Sequence, residues 1–194
     1  MNDKDKDIVT PGRGLLFMKI GTHANEPLEE IIARKTKEID DTGYAFWGYG
    51  GATCHPQKMV QPFANGFHRK GETIYLCMHE MNSRHFADQI RADEFSTDGI
   101  DWTTIPAPVN VLGSRYALVV KNLRRVEFDL PLHQTRVAIG NSMGISGDRY
   151  ISGRVDKGCF EITEPDPSKD SRVVLIRLMA EIIKPYAVYV RNRT

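Results

Sequence analysis

The sequence predicts an α+β fold, a single β-rich domain with one clear helix near its start. Three observations support this prediction. Short apolar runs bounded by glycine, proline or polar turns recur along the chain, as expected of strands. Residues 28–39 carry their apolar side chains at helical spacing. The length of 194 residues suits one sizeable domain, and no shift in composition marks a second.

The opening of the chain predicts the order strand, helix, strand. Residues 14–20 (GLLFMKI) form an apolar run bounded by glycines, which is typical of a buried strand. The helix that follows has Pro27 at its start and Gly43 at its end, where these residues favour helix boundaries. Residues 44–49 are then an aromatic strand. Residues 1–12 begin with charged side chains and are predicted to be a disordered tail, so the domain spans residues 13–194.

Strands dominate the prediction for the rest of the chain. Residues 56–70 contain two prolines and an Asn-Gly pair, which predicts a long loop. In the strand predicted over residues 71–78, Ile74, Leu76 and Met78 share one face. A short helix is predicted at 84–95 and a loop at 98–113. Further strands are predicted at residues 116–128, 137–139, 150–162 and 186–190. Residues 172–184 fit either helix or strand, with the helix slightly favoured.

Composition narrows the possible function classes. Charged residues make up 26% of the chain and hydrophobic residues 41%, an ordinary balance for a soluble globular protein. The net charge of +1 gives no basis for tight nonspecific binding of nucleic acid. No apolar run reaches membrane-spanning length, so no membrane association is predicted. Three widely spaced cysteines favour free thiols in a reducing cytoplasm.

The segment 43–56 (GYAFWGYGGATCHP) is the strongest functional signal. It holds four of the chain's seventeen aromatic residues and four of its sixteen glycines. Aromatic faces stack on planar ligands, and glycines let the backbone approach a ligand closely. Because Phe46 and Trp47 are consecutive in a strand, one should be core and the other should face the ligand. The predicted ligand-binding residues here are Phe46, Trp47, Gly48, Tyr49, Gly50 and Gly51.

Basic side chains elsewhere are candidates for an anionic group of the ligand. Lys19, at the end of the first predicted strand, is one of them. Arg149 and Arg154 flank Tyr150 and could present guanidinium groups to a phosphate or a base. The hypothesis is therefore a ring stacked on an aromatic side chain, with lysine or arginine at its phosphate.

Metal and cysteine chemistry are weaker alternatives. The pairs Cys54-His55 and Cys77-x-His79 do not have the short paired spacings that zinc sites usually show, and no metal or cofactor is predicted. Cys54 beside His55 in a glycine-rich turn could be an activated thiol. No hydrolase signature surrounds it, so Cys54 stays a candidate nucleophile without a predicted base.

The order of the segments resembles the PUA-like superfamily, especially its EVE and ASCH branches. The resemblance lies in a strand of the type LLFMK, a loop ending in Glu26-Pro27, a helix and an aromatic strand. It continues in the strand GETIYL at residues 71–76 and in a strand at 116–126 that runs into FDLPL. It covers about residues 14–132. The resemblance implies a twisted β-barrel with flanking helices and a cleft that accepts a flipped or modified base.

The same resemblance implies positions for the cleft. Lys19, the 21–26 loop, Trp47 and the 48–51 turn would line it. Some ASCH-type proteins are amidohydrolases that act on modified nucleosides through lysine, threonine and glutamate, and the matching candidates here are Lys19, Thr22 and Glu72.

Three functions follow from the sequence. The first is a binding module for a nucleotide or for a modified base in nucleic acid. The second is a small amidohydrolase-like enzyme acting on a nucleoside or a related small molecule. The third is a structural or partner-binding protein that uses residues 186–190 as an edge strand. The sequence leaves the oligomeric state open, a homo-oligomer included.

Overall fold

The apolar run that opens the chain forms an inner strand of a large mixed sheet. The structure is a computed structural model that describes residues 7–51, 54–85, 89–152, 155–166, 168 and 172–193. Nine strands lie in these residues: β1 (Gly14–His23), β2 (Ala45–Gly48), β3 (Ile74–His85), β4 (Glu94–Ser96), β5 (Thr103–Thr104), β6 (Tyr116–Pro131), β7 (Thr135–Val137), β8 (Lys157–Ile162) and β9 (Val173–Arg191). The α-helices among them are α1 (Leu28–Thr42), α2 (Gln57–Arg69) and α3 (Gly147–Tyr150), and 3₁₀ turns lie at Asp7–Val9 and Leu132–Gln134.

The strands form one sheet in the order β2-β6-β9-β3-β1-β8-β7, with β4 pairing to β9 and β5. β1 and β3 are parallel, and the connection between them runs through α1, β2 and α2. The other strand pairs among the described residues are antiparallel. The result is a mixed α/β domain built on a large open sheet.

The sheet curls until its β2 end returns toward β1. The hydroxyl of Tyr49, just after β2, donates to the carbonyl oxygens of Phe17 at 3.1 Å and Gly158 at 3.3 Å. Three strands separate β2 from β1 in the sheet order, so this contact requires strong curvature. No hydrogen-bonded ladder between described strands closes the sheet, so the closed barrel that the sequence resemblance implies is not shown.

Side chains on the two faces of the sheet enter different cores. The first core lies between the sheet, α1 and α2 and contains Trp47, Leu76 and Phe67. The second core, on the opposite face, contains Phe17, Cys77 and Phe160. A third, smaller core surrounds Phe46, with Val109 and Val188. The predicted faces of β3 are confirmed, since Ile74, Leu76 and Met78 all enter the first core.

Several local predictions agree with the structure. The first strand, the helix ending at Gly43 and the aromatic strand are present as β1, α1 and β2. Gly43 takes a left-handed conformation (φ 85°) and its N–H bonds to Ile39 O at 2.7 Å, the reason a glycine ends the helix there. The long strand predicted from residue 116 is β6, which bends at shifts in its register with β9.

The loop predicted over residues 56–70 is wrong, because most of it is helix α2. Pro56 stands at the N-cap, where its missing N–H is harmless, and Pro62 is accommodated within the helix. Val60, Ala64 and Phe67 recur at helical spacing and are all buried. The two prolines favoured a loop, although the helical spacing of the apolar residues indicates a helix with one buried face.

Two predicted helices are wrong where the structure describes them. In the segment 84–95, β3 continues to His85 and β4 begins at Glu94, while residues 86–88 lie outside the described residues. Residues 173–191 form the single strand β9, so the favoured helix at 172–184 is replaced by a strand. β9 is buried on both faces, with Leu178 in the first core and Met179 in the second. A strand buried on both faces lacks the alternation that identifies strands in sequence.

The boundaries of two other segments also change. Ile8 is 3% exposed and belongs to the second core, so the predicted tail cannot extend to residue 12. In the segment 150–162 the strand begins only at Lys157, and Tyr150 ends the short helix α3. Residues 186–190 are strand, but they lie inside the sheet between β6 and β4 and are not an edge. None of the described helices is long and apolar enough to cross a membrane.

Candidate functional site

A cavity of about 530 Å³ lies between α1, the ends of β1 and β2, and the loop 110–114. This volume is within the range of small-molecule sites, about 300–1,000 Å³. Its wall includes Lys19, Thr22 and the whole predicted cluster from Phe46 to Gly51. Segments 19–22 and 46–51 are distant in the sheet order, and the curvature of the sheet brings them to one cavity.

Trp47 is an almost fully buried aromatic residue of the cavity wall. It belongs to the first core, is 4% exposed and borders the cavity. Its indole N–H has no hydrogen-bond partner among the described residues, although a buried tryptophan usually finds one. The cavity wall therefore offers an indole with an unused donor.

The other two aromatic residues of the cluster have structural roles. Phe46 points to the third core, where its ring meets Phe95 edge-on at 5.2 Å between centroids. Tyr49 is fully buried, and its hydroxyl is engaged with Phe17 and Gly158. Burial raises the pKa of Tyr49 well above its usual value, so it is a neutral donor. The sequence expectation that Phe46 and Trp47 take opposite faces agrees with the structure, because Phe46 lies in the third core and Trp47 in the first.

The glycines of the turn are required mainly by packing, not by an approaching ligand. A Cβ atom on Gly48 would lie 2.4 Å from Ser114 Oγ, and one on Gly50 would lie 2.5 Å from the backbone nitrogen of Tyr116. Only Gly51 among these three has open space where its Cβ would be. The interpretation that all three glycines admit a ligand is thus corrected for Gly48 and Gly50.

Lys19 borders the cavity, but its side chain is engaged elsewhere. Side chains alternate along β1, and Leu15 and Phe17, which precede Lys19 in the same alternation, lie in the second core. Its Nζ donates to Val155 O at 3.2 Å, next to that core. Burial and the nearby Arg172 lower the pKa of Lys19, partly offset by Asp156.

The Lys–Thr–Glu set of the amidohydrolase hypothesis is not assembled. Thr22 borders the cavity, but Glu72 pairs with Arg13 at 3.1 Å, just before β3 and β1 begin. In the parallel β1–β3 pair Lys19 lies opposite His79, seven residues beyond Glu72. At about 3.3 Å per residue, this separation is roughly 20 Å.

Cys54 and Arg149 also lie away from the cavity wall. Cys54 Sγ accepts the Gly51 N–H at 3.0 Å and donates to Gly51 O at 3.2 Å, which closes the turn on itself. Among the described residues the His55 ring stacks on Tyr150, with 5.8 Å between the ring centroids, and no hydrogen bond joins it to this thiol. Arg149 is exposed on α3. Arg154 lies outside the described residues.

A cluster of charged side chains on α1 forms one wall of the cavity. None of these residues was predicted from the sequence to belong to the site. Lys35 and Glu38 are almost fully buried, and Lys35 Nζ donates to both oxygens of Glu38 at 3.0 and 2.9 Å and to Asn110 O. Arg34 donates to Glu26, to Glu38 and to the same carbonyl oxygen. Burial lowers the pKa of Lys35 to about 8. The cluster holds the loop 110–114 against α1 and so fixes one side of the cavity.

The signal for this cluster was present in the sequence. Lys35 and Glu38 follow Ile31 by four and seven residues, so they occupy the inward face of the predicted helix. Charged residues at such positions are rarely buried without partners. Two of them on an apolar face indicate a buried ion pair.

Three residues whose polar side chains have no hydrogen-bond partner among the described residues lie at the same cavity. Thr22, Asn110 and Ser114 border it, and their side chains make no hydrogen bond to any described residue. With the Trp47 indole they form a small set of free donors and acceptors around an apolar wall, the arrangement typical of ligand sites. No group of three or more His, Cys, Asp or Glu side chains in the described part of the chain is placed to hold a metal ion.

Comparisons with known proteins give no guide to the ligand. No family model, no curated protein and no solved structure matches the chain.

Proposed function

We propose that the protein is a binding module for a nucleotide or a modified base, whose ring stacks on Trp47 inside the cavity. The observation that carries the proposal is the Trp47 indole, buried at the cavity wall with an unused N–H. Stacking on an aromatic side chain contributes about 1–3 kcal/mol per base. The unpaired Thr22, Asn110 and Ser114 then supply hydrogen bonds to the edge of the ring.

The fold, the cleft and the cellular compartment expected from the sequence are all consistent with this function. We propose that the curled sheet corresponds to the twisted barrel that the resemblance to the PUA-like superfamily implies, and the return of Tyr49 to β1 and β8 supports this. Its cleft is the cavity between α1 and β2. All three cysteines are free thiols, which fits a module acting in a reducing cytoplasm.

The test compares the two tryptophans of the chain. Nucleosides, nucleotides and short oligonucleotides with and without a methylated base are titrated calorimetrically into wild type, Trp47→Phe and Trp102→Phe. Trp102 is half-buried under the guanidinium of Arg191, 3.9 Å from its ring, and does not border the cavity. Trp47→Phe keeps an aromatic core residue but loses the indole N–H and part of the stacking face.

The expected result is binding that weakens about tenfold in Trp47→Phe and stays unchanged in Trp102→Phe. Thermal unfolding of both variants checks that each is folded. Absence of binding to wild type, or equal affinities for the two variants, would remove the proposal.

A further inference from the structure

Lys157 is a buried cation at the cavity wall with unused donors. It is the first residue of β8 and lies opposite Met18 in the antiparallel β1–β8 pair, so the two share a face of the sheet. Met18 packs against the first core, which places Lys157 on the side of Trp47. Lys157 is 8% exposed, and within the described residues its Nζ bonds only to Asp156, at 2.7 Å.

A lysine ammonium carries three donors, so two of them have no acceptor in the described protein. Burial of a charged group without its full set of partners is costly. Lys35, on the opposite wall, differs because both Glu38 oxygens and Asn110 O accept its hydrogen bonds. Lys157 is therefore the buried lysine with room for a ligand.

The charges around Lys157 also favour an anion. Lys19 interacts electrostatically with Arg172 and with Asp156, the residue that pairs with Lys157. Asp156 is thus shared between Lys157, which borders the cavity, and Lys19, whose side chain lies on the other face of the sheet. On the α1 side, Arg34 and Lys35 are balanced by Glu26 and Glu38. Lys157 is therefore matched only by a carboxylate that it shares with Lys19, whereas the two cations at α1 have two carboxylates of their own.

We infer that the ligand is a free nucleoside monophosphate whose phosphate is bound by Lys157 while its base stacks on Trp47. This inference rests on the proposed function. It assigns the phosphate to Lys157 in place of Lys19, Arg149 and Arg154, the candidates from the sequence. Both side chains border one cavity and share one face of the sheet. An ammonium-to-phosphate hydrogen bond is charge-assisted and among the stronger polar contacts.

Four cations that could otherwise meet a nucleic-acid strand are already paired with carboxylates. Arg125 pairs with Glu29 and Glu80, Lys121 pairs with Glu181, and Arg191 and Arg193 pair with Glu94. A nucleic-acid strand needs cations that are available to several of its successive phosphates. These cations are already paired with carboxylates, whereas one phosphate in the cavity needs only Lys157.

The experiment measures the affinity ratio between each common ribonucleoside 5′-monophosphate and its nucleoside. Wild type, Lys157→Met and Lys121→Met are compared, the last removing a lysine from a surface ion pair with Glu181. Because Lys157→Met leaves Asp156 without this partner, the double variant Asp156→Asn/Lys157→Met is included as a neutral replacement. Nucleoside affinity serves in each variant as the check that the cavity is intact.

We expect wild type to prefer the monophosphate by about tenfold or more and both Lys157 variants to lose this preference while keeping nucleoside affinity. Lys121→Met should behave as wild type. A preference that survives in both Lys157 variants overturns the inference but leaves the proposed function standing, whereas absence of binding by nucleosides and monophosphates alike contradicts both. Tighter binding of a short single-stranded oligonucleotide, with a steep dependence on salt, would also overturn the free-nucleotide assignment.

Discussion

The glycines that follow β2 differ in what surrounds them, although the sequence shows them as a uniform run. A side chain at Gly50 would strike the backbone nitrogen of Tyr116, which cannot move without disturbing the β2–β6 pair. A side chain at Gly51 would enter open space. The position of a glycine in sequence indicates a tight turn, but only the tertiary neighbours show which glycine is indispensable.

We predict that Gly50→Ala lowers the free energy of unfolding by about 1–3 kcal/mol because its methyl group overlaps Tyr116. Gly51→Ala, one residue away, should change it by less than about 0.5 kcal/mol. Urea denaturation of the two variants measures the difference. Equal costs would show that the turn does not pack as described.

The buried ion cluster predicts a second contrast between single residues. Glu38→Gln leaves the buried Lys35 without its carboxylate, and removing one partner of a buried pair costs about 3–5 kcal/mol. Asp41→Asn breaks only the exposed pair with Lys37 and should cost less than about 1 kcal/mol. Denaturant unfolding at neutral pH checks both values. A cost below 1 kcal/mol for Glu38→Gln would mean that Lys35 is not held as described.

His55 predicts a dependence of stability on pH. Burial lowers the pKa of His55 below its usual 6.5, so the unfolded chain takes up the proton first as the pH falls. The contribution of His55 to the free energy of unfolding is therefore complete above pH 6.5 and decreases as the pH falls below 6.5. Its neighbours Tyr116 and Tyr150 stay neutral throughout, since burial raises the pKa of both.

His55→Phe keeps a ring against Tyr150 and removes the titration. We expect the wild type to lose more stability than this variant between pH 7 and pH 5, measured by thermal unfolding. The variant His68→Phe is the control, because it changes an exposed histidine to phenylalanine and leaves His55 in place. A wild-type curve that parallels His55→Phe would contradict the assignment.

Among the elements, α1 and α2 show what sequence patterns can and cannot establish. α1 has an acidic start, an apolar face and a terminal glycine, and each of these local signals is consistent with the others. α2 carries equally regular apolar residues, but two prolines and a glycine give the opposite local signal. Tertiary packing decides the outcome, because Phe67 lies directly over Gly14 of β1.

The contribution of α2 to stability can be tested through the packing of Phe67 on β1. Phe67→Ala should lower the free energy of unfolding by about 3–5 kcal/mol, because it opens a gap between the helix and β1. Phe63→Ala, one turn earlier and only partly buried, should cost clearly less. Chemical denaturation distinguishes the two. Similar small losses for both would mean that α2 is not anchored through Phe67.

At the scale of the whole molecule, the candidate site depends on contacts that no local pattern contains. The 46–51 cluster could be recognised from its composition, and the alternation rule correctly separated Phe46 from Trp47. The same rule applied to β1 would have turned Lys19 away from the cavity. Lys35 was marked by its place on an apolar helical face, but the role of Lys157 requires knowing that β8 pairs with β1.

The curvature of the sheet is the least predictable feature. β1 pairs in parallel with β3 across a connection of two helices and a strand. The β2 end of the sheet returns to β1 and β8, where the Tyr49 hydroxyl bonds to both strands. Such long-range pairings depend on how successive strands twist and on which faces they bury. The cavity exists because of this curvature. Local sequence patterns therefore do not predict the cavity or the ligand that it accepts.

The most direct test of the central claim is the indole region of a ¹⁵N–¹H correlation spectrum. The two indole N–H signals, of Trp47 and Trp102, are assigned with Trp102→Phe. On titration with nucleoside monophosphates, the Trp47 signal should shift and saturate, because its N–H is free of partners in the described protein and borders the cavity. The Trp102 signal should stay in place. A Trp47 signal that is unchanged by all of these ligands, or a shift confined to Trp102, would contradict a nucleotide site at Trp47.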